Sequence, residues 1–124
     1  MPAYNTFDFD PPAPVALVTF VHPDTGQRMD NVPMLLDTGA DASIVPQVVV
    51  TALGMSERTK AYEVTFLEGD TATLRSTHLQ MKWLSFTFTG EFLVTQAAHG
   101  VIGRNILNNL RVVLDGPRQD WEIE

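Results

Sequence analysis

From Val15 onward the chain is a succession of short runs rich in Val, Phe, Thr, Leu and Ile, each ended by a turn signal, and this punctuation limits the fold more than any other feature. Val15 to His22 reads as a strand, Pro23-Asp24-Thr25-Gly26 as a turn, and Arg28 to Val32 as the returning strand of a hairpin. Met34-Leu35-Leu36 and Ile44-Val45 are short apolar runs expected as buried strands on either side of a loop. Tyr62 to Leu67 and Thr71 to His78 flank Glu68-Gly69-Asp70, a hairpin with a polar tip. Leu79 to Thr89 and Glu91 to Thr95, separated by Gly90, predict further antiparallel pairing. Gly100-Val101-Ile102-Gly103 is an apolar piece between glycines, and Arg111 to Leu114 and Trp121 to Ile123 close the chain around Asp115-Gly116-Pro117.

Helices have little room in this pattern. Pro46 can open one, because its missing N–H would be unpaired there anyway, and Gly54 can close it after Leu53, although Val48-Val49-Val50 is β-branched. Arg104 to Leu110 is long enough for about two turns. The class is therefore mainly β, with a barrel-like core and one or two short helices. Residues 2–14, with Pro2, Pro11, Pro12, Pro14, Asp8 and Asp10, are expected as an extended or mobile arm ahead of a single domain over 15–124.

Composition removes several classes of function. At 124 residues the chain can bury a core without disulfides or a structural metal, but it has no space for a second lobe. A formal charge of −7 repels nucleic acid. No stretch approaches the roughly 18 apolar residues of a membrane helix, and the N-terminus lacks a basic-then-apolar pattern, so a cytoplasmic location is expected. With no cysteine, thiol nucleophiles and Cys-ligated zinc are excluded. His22, His78 and His99 stand too far apart for a ligand set, so no metal is expected. Trp83, Phe86, Phe88 and Phe92 read as packing residues, and Ser43 lacks the surroundings of a serine nucleophile.

The chemistry is concentrated in Leu35-Leu36-Asp37-Thr38-Gly39-Ala40-Asp41-Ala42-Ser43. An acid at the end of an apolar strand is held in a restricted, partly desolvated place, unlike an acid in a solvated turn. Gly39 leaves room for a passing backbone, and the Thr38 hydroxyl can fix the loop. The chain carries its own control: Asp24-Thr25-Gly26 repeats the tripeptide with no apolar run leading into it, and there a hairpin turn is the natural reading.

Residues Leu35 to Ser43 resemble the active-site loop of retropepsin-like aspartic proteases, and Val101-Ile102-Gly103-Arg104-Asn105-Ile106-Leu107 resembles the late apolar pair, Gly-Arg-Asn and helix of the same family. A flap-like hairpin at about Phe66 to Ala72 lies between these marks, so the resemblance spans roughly 15 to 114. It implies a closed β-barrel of the acid protease fold and an aspartic endopeptidase acting on peptide or protein substrates without metal or organic cofactor. It also implies a homodimer, since each chain holds a single such loop and two Asp37 carboxylates are required.

By the same resemblance Asp37, Thr38 and Gly39 form the catalytic loop, with Thr38 stabilising the paired loops and Gly39 lying where substrate passes. Ala40 and Asp41, with the flap residues Leu67, Glu68, Gly69 and Asp70, fall on the substrate side. Asp41 and Arg104 are expected as a structural ion pair, whose loss would cost about 3 to 5 kcal/mol if it were partly buried. The chain departs from the family in its acidic flap tip and in the residues that continue past Asp115, which predict a differently built dimer interface. Two alternatives stay open at this stage: a catalytically silent dimerisation or peptide-binding module of the same fold, and a monomeric barrel that binds a small ligand.

Overall fold

The computed structural model describes residues 1–55, 61–65 and 69–124. Its strands are β1 (Val15–Val21), β2 (Arg28–Leu36), β3 (Ile44–Pro46), β4 (Ala61–Thr65), β5 (Thr71–Trp83), β6 (Phe86–Thr95), β7 (Gly100–Ile102), β8 (Val112–Asp115) and β9 (Asp120–Ile123). Two short helices, α1 (Gln47–Ala52) and α2 (Arg104–Leu107), interrupt them. The order β1-β2-β7-β3-β6-β5 closes on itself because β1 also pairs with β5, through Thr19↔Lys82, Phe20↔Met81 and Val21↔Gln80. The result is a six-stranded closed barrel, with β4 added outside on β5 and a separate β8–β9 hairpin.

Alternation along the strands fills the interior. Ala16, Val18 and Phe20 of β1, Val32, Met34 and Leu36 of β2, and Leu79, Met81 and Trp83 of β5 all point inward and are buried. Each large side chain among them gains about 1.5–3 kcal/mol by leaving water. Phe20 meets Phe92 edge to face at 5.3 Å, and Trp83 packs on Trp121 at 5.7 Å, which fastens the β8–β9 hairpin to the barrel.

The structure joins two segments that the sequence reading kept apart. β2 runs unbroken through Leu36, because Asn31 takes a left-handed conformation (φ 58°) where the pairing with β1 shifts register, an extra residue that resets the alternation. The break expected at Gly90 is also displaced. Gly90 lies inside β6 opposite Leu79, and the chain reverses at Leu84-Ser85, where Leu84 has φ 55°. No glycine or asparagine marks that turn in the sequence.

α1 ends as expected at Gly54 (φ 65°): Gly54 N–H donates to Thr51 O and Met55 N–H to Val50 O, a paired C-terminal cap that uses the left-handed glycine. α2 is a single turn where two were expected. The Asn109 side-chain amide donates to the carbonyls of Asn105 and Ile106, and the chain continues in tighter turns.

The N-terminal arm is anchored along β9. Trp121 N–H donates to Pro2 O, Tyr4 N–H to Gln119 O, and a bridge between Asn5 and Ala13 closes the loop of residues 6–12. Asp8 and Phe9 of this loop both touch His99, at 3.4 Å and 5.1 Å.

Candidate active site

Asp37 is the first residue after β2, and parallel pairing with β7 fixes its position. Leu36 sits opposite Ile102, and Asp37 N–H donates to Ile102 O at 3.0 Å. The chain then turns tightly. Ala40 N–H donates to Asp37 O, while Gly39 N–H reaches back to Asp37 Oδ1 at 2.9 Å and orients the half-buried carboxylate. A Cβ on residue 39 would lie 3.1 Å from that oxygen, so glycine keeps the approach to the carboxylate open.

The segment after β7 holds this loop from below. Arg104 N–H donates to Ala40 O at 2.8 Å, and Arg104 Nη1 donates to Thr38 O at 2.7 Å. The buried Ser43 hydroxyl accepts from Gly103 N–H at 3.0 Å and donates to Asn105 Oδ1 at 2.8 Å. Gly103 is required by space, since a Cβ there would collide with the backbone of Ala40 and Ala42. The two sequence marks are thus one structural unit, bonded residue by residue across the barrel end.

Asp37, Thr38, Gly39, Ala40 and Asp41 are brought together in this loop, with Thr38, Gly39 and Asp41 exposed. The expected Asp41–Arg104 ion pair is not formed within the chain. Both residues are exposed, and the guanidinium is taken up by the Thr38 carbonyl, a fixed acceptor that needs no ordering of a second side chain. Leu67 and Glu68 lie outside the described residues. Gly69 (φ 88°) and Asp70 are exposed beside the β4–β5 hairpin, whose register ends at Thr65↔Thr71.

Two features went unread in the sequence. One is the Ser43–Asn105 link, for which the only sequence signal is that each residue belongs to one of the two marks. The other is an outward-facing apolar strip. Leu35 is in register with Val101, Val101 with Ile44, and Ile44 with Leu93, and all four are half-buried. Leu35 is two residues before Asp37, so the strip and the acid share one side of β2. Below the loop, Leu36 and Thr38 face Leu107, Leu110, Val112 and Leu114 across a cavity of about 230 Å³.

The closed barrel, the parallel β2–β7 crossing and the acid loop at its end define a retropepsin-like fold. A family model described as retroviral aspartyl protease matches residues 24–115, and the chain belongs to that family. The fold is similar to that of the EIAV protease solved with the inhibitor HBY-793, with a TM-score of 0.57 and 22% identity, covering 85% of this chain and 91% of that one. A search of curated proteins gave no match.

Proposed function

We propose that the chain is one half of a homodimeric aspartic endopeptidase in which two Asp37 carboxylates, one from each subunit, activate a water. The observation that carries this reading is the setting of Asp37. Its carboxylate is oriented by Gly39 N–H, on a loop clamped by Arg104 and Ser43, beside an apolar strip suited to peptide side chains. Cleavage by acid and base together needs a second carboxylate beside it, and a two-fold axis supplies one.

Two carboxylates at contact distance cannot both ionise cheaply, so the pair shares one proton, as is general for aspartic proteases. The ionised member removes a proton from the water, whose oxygen attacks the scissile carbonyl carbon. The protonated member donates to the carbonyl oxygen, giving a neutral tetrahedral diol. Collapse of the diol breaks the C–N bond: the proton first taken from water passes to the leaving amine, and a diol hydroxyl returns its proton to the carboxylate that had donated one, which restores the shared proton. Gly69 and Asp70, together with Leu67 and Glu68, belong to the segment that would cover an extended substrate.

The test is digestion of a diverse peptide library between about pH 4 and 6 by wild type and Asp37→Asn. Cleavage by wild type alone supports the proposal. Equal cleavage by both, or none by either, rejects it.

A further inference from the structure

Resting on the two-carboxylate reading above, we propose that Asp8 is a specificity-determining residue that takes a cationic side chain of the substrate, lysine or arginine, a few positions from the scissile bond. The N-terminal arm brings it there. Leu36 N–H donates to Pro14 O, and Val15 is in register with Leu35, so the arm leaves the barrel beside the strand that ends at Asp37.

The loop of residues 6–12 is ordered by its own hydrogen bonds. Asn5 and Ala13 exchange both backbone bonds at its neck, and Asn5 Oδ1 accepts from Phe7 N–H and Asp8 N–H, at 2.9 Å each. Asn5 Nδ2 donates to Asp8 Oδ2 at 3.0 Å. These bonds orient the Asp8 carboxylate before any ligand arrives, which lowers the ordering cost of binding.

His99 sets the loop against the apolar strip. Gly100 and Ile102 are buried, and a Cβ on residue 100 would collide with the Met34 side chain inside the barrel. Alternation therefore turns Val101 and His99 outward, to the side that carries Leu35 and Asp37. His99 Nε2 lies 3.4 Å from Asp8 Oδ2, and Phe9 meets the imidazole edge to face at 5.1 Å. Four strand positions, roughly 13 Å along the sheet at about 3.3 Å each, separate His99 from the level of Asp37. An extended peptide laid over Asp37 covers that span in about four residues.

The carboxylate is left with one oxygen to offer. The Asn5 and His99 contacts both use Oδ2, whereas Oδ1 has no hydrogen-bond partner among the described residues, and the Asp8 side chain is 56% exposed. An oriented carboxylate with a free oxygen at the end of an apolar strip matches a side chain with an aliphatic stem and a positive end. It repels an acidic one. The net charge of −7 acts in the same direction, drawing cationic peptides toward the chain.

The test uses the full-length chain and sets of peptides that differ only in carrying lysine, norleucine or glutamate at one position, scanned across the residues on either side of the cleaved bond. The norleucine peptide is the reference within each variant. Wild type should favour lysine over glutamate by about fivefold in kcat/KM, the scale of an exposed ion pair, at a position at least two residues from the cleaved bond. Asp8→Asn should remove this preference, and Asp8→Lys should invert it. Asp30→Lys makes the same change of net charge near the opposite end of β2 and should keep the wild-type preference. Cleavage by wild type without a lysine preference, or with the same ratio in both Asp8 variants, would overturn the role of Asp8 and leave the two-carboxylate reading intact. A ratio shifted as far by Asp30→Lys as by Asp8→Lys would reduce the effect to net charge and overturn it too. Absence of cleavage by wild type in every set would overturn both readings.

Discussion

Ser43 and Asn105, 62 positions apart, are joined by a 2.8 Å hydrogen bond whose hydroxyl also accepts from the Gly103 N–H, so one buried side chain holds the acid loop to the start of α2. This link makes Asp37 a fixed group.

Ser43→Ala strands the Gly103 N–H in a buried position and frees Asn105. We expect a loss of about 1–3 kcal/mol, visible as a melting temperature several degrees lower. An unchanged melting curve would remove Ser43 from the framework of the loop.

Arg104→Ala should behave differently from the loss of a buried ion pair. The guanidinium is exposed and serves one carbonyl, that of Thr38, so the expected cost is about 1 kcal/mol. Peptide cleavage should suffer more than stability, because Thr38 precedes Gly39, the donor to Asp37. A stability loss as large as that of Ser43→Ala, with kcat intact, would contradict this assignment.

Asp37→Asn should reduce cleavage by about a thousandfold or more, since it removes both the acid and the base of the pair. Its melting temperature should equal or exceed that of wild type, because the replacement removes the cost of holding two carboxylates side by side. Marked destabilisation would mean that Asp37 is mainly structural.

The Arg28 side chain, bonded at 2.8 Å, and the Thr19 hydroxyl at 2.7 Å hold the Asp30 carboxyl below its ordinary range. A folded value below the unfolded one stabilises the protein above the unfolded value of about 3.9, and this contribution disappears as pH falls through the lowered folded value. Carboxyl NMR titration should place the Asp30 midpoint below 3.8, and Arg28→Ala should raise it. A midpoint unmoved by Arg28→Ala would refute the cause given.

Much of this was legible from residue order. Alternating apolar residues placed β1, the start of β2 and the closing hairpin, because a half-buried strand must repeat every two residues. Gly54 marked the end of α1, because the sequence contains the one residue type that the left-handed cap favours. The contrast between Asp37 and Asp24 could be read from their neighbours, since only one acid follows an apolar run.

What the sequence by itself determined was the class of the fold and the presence of two marks, the Asp37 loop and the Gly103-Arg104-Asn105 segment. Only the tertiary structure decided that the two marks bond to each other, that Arg104 serves Thr38 and leaves Asp41 free of it, and that the N-terminal arm covers β9. The physical reason is range. Periodicity and turn chemistry are set by neighbours along the chain, whereas a guanidinium or a strand edge takes whichever acceptor folding brings within reach, and that acceptor comes from residues far away in the sequence.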